Sequence, residues 1–312
     1  RRLMSISSFI LKNGFDIKID LFVSNESVRI LSNWPELKYL KSHQNVNFIN
    51  FIYPNCQTES FDKIEDKDWD NINLPKLSKY DLVWSDNIIS VLKERPDALL
   101  SGSFFWHEIF SKIHNPSKKI ISFINNQRTL LKAYDPHIAG NEYFSTPEVK
   151  NCLNFFQVGL YRYNLGFSSK NRRSILLSCG LGGEEIELSR AALNKIINEN
   201  LQPIDYLYVE PRLLPKKYPK WIKSANFSAE MFNDCIAACI RPGLGTVSDS
   251  LINNIRIYSF SKKNSFEMEH NGNVIQELGL GEYSNDPYQS YINALKFSND
   301  DDLISLQQYK TL

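Results

Sequence analysis

The stretch Cys239-Ile-Arg-Pro-Gly-Leu-Gly-Thr-Val-Ser-Asp249 decides how this chain reads. An apolar run over residues 235–240 stops at a glycine-rich turn, and residues 246–252 read as the start of a helix. A strand that turns through glycines into a helix presents unpaired backbone N–H groups and the positive end of the helix dipole, which suits a pyrophosphate. Gly243 and Gly245 let the backbone approach an anion with no Cβ in the way. Thr246 opens the helix. Asp249, one turn in, is placed to accept hydrogen bonds from ribose hydroxyls, although an early acidic residue also favours the dipole by itself. Arg241 ends the strand and offers a guanidinium fork to a phosphate, with a surface or interdomain ion pair as the alternative.

A second anion-compatible turn lies upstream. Residues 174–179 form an apolar strand, Gly180-Leu-Gly-Gly183 follows, and a helix runs to about residue 198. Gly180, Gly182 and Gly183 either cradle phosphate oxygens or make a tight strand-to-helix connection with no ligand. Glu184 and Glu185 complement the dipole of the helix that they open.

Farther along stand Glu267-Met-Glu-His-Asn271 and Glu277-Leu-Gly-Leu-Gly281. With the Gly-rich turn, these segments resemble the C-terminal half of GT-B glycosyltransferases. The likeness is to UDP-sugar transferases related to the bacterial enzyme that adds N-acetylglucosamine to the lipid-linked peptidoglycan precursor. In that family a strand ends in Arg/Ser-x-Gly-x-x-Thr-x-Ser-Glu, whose Glu binds the donor ribose. Arg241 to Asp249 match it with Asp for Glu. An acidic or amide pair, an Asn and a Gly then follow at spacings kept by Glu267, Asn271 and Gly279, with Met268 where the pair usually has Gln. The resemblance spans residues 170–285, more weakly upstream. It implies an α/β GT-B fold, two Rossmann-like domains facing across a cleft, with residues 1–165 on the acceptor side and 166–312 holding the donor. It also implies that Gly180, Gly182, Gly183, Arg241, Gly243, Gly245, Thr246 and Asp249 hold the nucleotide while Glu267 and Asn271 approach the sugar. His270, inside that match, is a further candidate for sugar or phosphate.

The 312 residues suffice for two domains. A net charge of +1, from 36 basic and 35 acidic residues, gives no electrostatic case for nucleic acid. Five scattered cysteines without a Cys-x-x-Cys pair fit a reducing cytoplasm, and Cys235 and Cys239, with no His nearby, read as buried thiols. No apolar stretch approaches the ~20 residues of a membrane span, so any membrane contact is expected to be peripheral, at the inner face. Asp66-Lys-Asp68 and Asp300-Asp-Asp302 follow no buried strand and read as solvated loops. No metal and no cofactor is expected, the nucleotide-sugar being a substrate.

The N-terminal half alternates helix and strand signals. Leu3, Ile6, Phe9 and Ile10 recur at helical spacing, and strands are expected within 16–23, 46–53, 80–84, 98–101 and 119–124. Residues 54–78 read as a polar loop with local helix. In the C-terminal half, strands at 205–209, 235–240 and 255–260 continue the series after a polar stretch at 164–173. Such alternation implies doubly wound parallel sheets. The resembling family opens with a strand and a Gly-x-Gly-His-x-x-Arg turn; the segment from Arg2 to Gly14 looks like that Arg and the following helix, so the first strand and the motif His are expected upstream. Within the chain, Asp86 and His107 follow buried strands and are the candidates for the base that takes a proton from an acceptor hydroxyl, though capping or structural roles are open to both. The expected activity is transfer of a sugar from a UDP-sugar or dTDP-sugar to a hydroxyl acceptor. A nucleotide-sugar hydrolase or 2-epimerase on the same fold and a noncatalytic nucleotide-sugar-binding subunit stay open.

Overall fold

A computed structural model describes residues 2–32, 34–51, 74–159, 172–180 and 185–300. The chain divides into two compact units, Arg1–Leu160 and Tyr161–Leu312. The expected boundary between residues 165 and 166, and most of the polar stretch around it, lie outside the described residues.

In the first unit the order is α1 (Arg2–Lys12), β1 (Ile19–Val23), α2 (Asn25–Ile30), α3 (Pro35–Ser42), β2 (Val46–Asn50), β3 (Trp84–Asp86), β4 (Leu99–Ser101), α4 (Trp106–Phe110), α5 (Lys118–Tyr134), β5 (Ile138–Gly140), α6 (Pro147–Lys150) and β6 (Phe155–Gln157). The described strands make two parallel sheets, β1-β2 and β3-β4-β5-β6. Met4, Leu11, Leu37 and Leu40 pack α1 and α3 onto the first, while Leu92, Leu100, Phe105 and Ile138 form the core of the second.

Residues 119–124, expected as a strand, are helical. The apolar run of Ile120, Ile121, Phe123 and Ile124 reads as a strand in a short window. Ser117 instead caps a helix by accepting the Ile120 N–H, and the buried side chains Ile120, Phe123, Ile124 and Gln127 recur at helical spacing on one face. Strands β5 and β6, three residues each, carry no alternation long enough to detect. The strand expected over 80–84 begins only at Trp84.

The second unit continues with β7 (Ser174–Ser178), α7 (Glu185–Asn198), β8 (Leu207–Val209), β9 (Ile222–Ser224), α8 (Ala229–Asp234), β10 (Cys235–Ile240), α9 (Leu244–Ile252), β11 (Arg256–Phe260), α10 (Phe266–Glu277), β12 (Gly281–Ser284) and α11 (Pro287–Ser298). Its six strands form one parallel sheet, ordered β12-β11-β10-β7-β8-β9. Both central strands are buried along their whole length, β10 apolar throughout and β7 around the apolar run Ile175-Leu-Leu177, as helices covering both faces require. From β7 the chain winds outward through β8 to β9, then returns through α8 to β10 on the opposite flank of β7 and winds outward again. β7 and β10 are therefore adjacent strands whose following helices lead in opposite directions, and the carboxyl ends of such a pair form the crevice where open α/β sheets bind ligands. None of the described helices is long and apolar enough to cross a membrane.

Candidate functional site

Gly180 and the Arg241–Thr246 turn, both singled out from sequence, fall at that switch point. Arg241 follows β10 and its N–H donates to the Ser178 carbonyl at 3.1 Å, so the two turns start side by side. The helix after β10 starts at Leu244, two residues earlier than expected, with Gly243 as N-cap. Gly243 has no side chain to cap the helix, and the first turn carries no acidic residue. The Thr246 and Val247 N–H groups are taken by the Gly243 carbonyl at 3.0 and 3.1 Å. The N–H groups of Leu244 and Gly245 come too early for a carbonyl one turn back, which leaves two donors and the dipole for an external anion. Gly243 itself has an ordinary φ of −70°; its contribution is the absent Cβ, not backbone freedom.

The turn after β7 is different in kind. Gly180 is left-handed, with φ +63°, a conformation that favours glycine. Gly182 and Gly183 lie outside the described residues. A buried carboxylate organises what is described: Glu210, just beyond β8, accepts through Oε2 from the Ser178 hydroxyl at 2.9 Å and the Cys179 N–H at 3.0 Å. Ser178 Oγ accepts in turn from the Gly180 N–H at 3.2 Å. Through Oε1, Glu210 pairs with Arg212, whose guanidinium also donates to the Gly180 carbonyl. Arg190 on α7 completes the bracket by donating to the Arg212 carbonyl at 2.8 Å. Burial, with the Glu210 charge second, pushes the Cys179 thiol up to about 12, so it stays protonated and is no nucleophile at neutral pH.

Arg241 forms an ion pair within the second unit, neither at the surface nor between units. Its Nε lies 3.2 Å from Glu185, which is buried at the first position of α7, so its charge is already offset before any phosphate arrives. Glu185 thus does more than complement a dipole.

The downstream motif mixes roles. Glu267 lies half-buried in the first turn of α10, and His270 is also half-buried. Asn271 is fully buried; its Nδ2 donates at 2.9 Å to the Pro242 carbonyl inside the Gly-rich turn. Through that bond Asn271 fastens α10 to the turn. Met268, at the Gln position of the resembling family, belongs to the core. Gly279 follows the end of α10 in a left-handed conformation, φ +69°, where it stops the helix. Asp249 is 7% exposed on α9, so only an edge of the residue reaches solvent.

In the first unit Asp86 ends β3, partly exposed, paired with Arg2 and accepting from Ser101 Oγ at 3.2 Å. His107 is completely buried, and its Nε2 lies 2.7 Å from Glu148. That hydrogen bond is what first lowers the Glu148 pKa, the structural role left open for His107 from sequence. Cys235 and Cys239 are buried free thiols, as expected. Among the described residues no three His, Cys, Asp or Glu stand together as a metal-binding group; residues 66–68 and 301–302 lie outside them.

Sequence reasoning missed Glu210, Arg212 and Ser178. The rule that singled out Asp86, a charged residue just after a buried strand, applies equally to Leu207-Tyr-Val-Glu210 and was the available signal.

The chain has the GT-B glycosyltransferase fold, with parallel α/β sheets in each unit. The structure of the kitacinnamycin glycosyltransferase superposes with a TM-score of 0.59 at 10% identity, over 97% of this chain and 88% of that one. UGT89C1 of Arabidopsis thaliana complexed with UDP-L-rhamnose gives 0.57 at 11% identity, over 96% and 86%. The same plant protein complexed with quercetin gives 0.55 at 12%, over 98% and 89%. By sequence the chain matches no protein family and no curated protein.

Proposed function

We propose that the protein is a glycosyltransferase that moves a sugar from a UDP-sugar or dTDP-sugar to a hydroxyl acceptor. The observation that carries this reading is the meeting of the Gly180 turn and the Arg241–Thr246 turn at the carboxyl ends of β7 and β10, with the α9 N-terminus open beside them. A diphosphate seated there gains the α9 dipole and the Leu244 and Gly245 N–H groups. As the glycosidic bond to the diphosphate breaks, negative charge grows on the leaving oxygen, and fixed N–H dipoles stabilise it without reorganising. Because Glu185 already offsets Arg241, these backbone donors carry the larger share. Asp249 is the candidate partner of the ribose hydroxyls and Glu267 that of the sugar. Asp86, a partly exposed carboxylate, is better disposed than buried His107 to accept the acceptor's proton. The fold neighbour that binds UDP-L-rhamnose and quercetin supports a nucleotide-sugar donor and a hydroxyl-bearing acceptor.

Gly243→Ala tests the reading cleanly. A Cβ there meets only Arg241 Nη1, at 3.8 Å, so the fold accepts the methyl while an anion approaching the turn does not. Calorimetric titration is expected to show the Kd for UDP or dTDP rising roughly tenfold, about 1.4 kcal/mol; an unchanged Kd contradicts the site. Asp249→Ala is expected to weaken the same nucleotide, and equal binding removes the ribose role. Arg241→Ala is a poor probe because it strands the buried Glu185 charge. Free sugar released from donor at a rate indifferent to acceptors would replace transfer by hydrolysis. Turnover is expected to survive EDTA.

A further inference from the structure

We infer that Glu210 is a positioning residue for the nucleotide: its carboxylate, through Ser178 and Arg212, sets the backbone of the Gly180 turn and thereby the affinity for the donor diphosphate. The inference rests on the proposed function, since it concerns the same site. Three observations support it. Glu210 is 5% exposed, and a carboxylate is retained at such a position only when its oxygens are satisfied. Both are, and the groups that satisfy them converge on one turn: Oε2 takes the Ser178 hydroxyl and the Cys179 N–H, while Oε1 takes Arg212, which holds the Gly180 carbonyl. The turn they hold contains a left-handed glycine, whose wide conformational freedom otherwise leaves the backbone groups that follow β7 without a fixed direction. Packing alone does not explain the arrangement, because an apolar residue would fill the space after β8 without orienting Gly180.

The Glu210→Gln protein is the sharpest probe. Both carboxylate oxygens accept, whereas an amide has one acceptor oxygen and must turn donor hydrogens toward either Arg212 or the Ser178 and Cys179 groups. Shape and volume are kept and the bracket is broken on one side. UDP and dTDP titrated into the folded full chain are expected to bind roughly tenfold more weakly, the order expected for a charged hydrogen bond lost. Donor KM is expected to rise in parallel, with acceptor KM and kcat within about twofold of wild type. Ser178→Ala is expected to weaken binding in the same way, and the double variant to lose less than the product of the two, since both cut one chain of bonds. Nucleotide binding equal to wild type in both single variants overturns the inference. So does a variant that binds normally once folded but melts early, which would make the bracket structural only. If wild type itself binds neither nucleotide, the donor reading falls, and this inference with it.

Discussion

Asn271 illustrates how a motif residue divides between folding and chemistry. Its side chain is buried in α10, its Nδ2 holds the Pro242 carbonyl, and its Oδ1 makes no hydrogen bond among the described residues. Replacing it with Ala leaves the Pro242 carbonyl buried without its donor, at a cost of about 1–3 kcal/mol. Urea denaturation of Asn271→Ala should report that loss, and nucleotide affinity should fall as well because the Gly-rich turn loses its fastening. A variant as stable as wild type would contradict the role given to Asn271. From sequence, the spacing between Glu267 and Asn271 drew attention to both residues but not to which one faces inward. Helical periodicity places them on the same side of α10, and only packing shows that one lies beneath the turn while the other remains partly exposed.

At the scale of elements, β12 shows a constraint that composition hides. A Cβ on Gly281 would stand 1.6 Å from the carbonyl oxygen of Ile257 on the paired strand β11. Backbone cannot yield as a side chain does, so Gly281→Ala is expected to cost about 3 kcal/mol or more, read as a large drop in the unfolding midpoint or a failure to fold. A variant with wild-type stability would contradict this close approach. Strand β12 itself was not legible, because four residues with a glycine first and a polar end carry no apolar run. β7 and β10 were legible for the opposite reason, being buried on both faces and therefore built around uninterrupted apolar runs, Ile175-Leu-Leu177 and residues 235–240. The error at α5 has the same root. Four apolar residues in six fit either period, and the deciding information lies outside the window, in the Ser117 cap and the buried Gln127.

Across the molecule, alternating strands and helices were enough to announce parallel α/β sheets, and the glycine turns pointed to the sheet edge proposed here as the nucleotide site. The sequence does not show the strand order. That β7 and β10 are neighbours, and that their turns meet at a switch point, depends on which strands pair across more than fifty residues. The Glu210 bracket depends on the same pairing, since it joins the ends of β7 and β8. The central claim is that a nucleoside diphosphate binds at this edge of the second unit, and amide hydrogen exchange measured with and without UDP or dTDP tests it most directly. The account predicts slowed exchange at residues 178–180 and 241–249. Bound nucleotide with protection confined to residues 1–160, or no binding by either nucleotide, would contradict it.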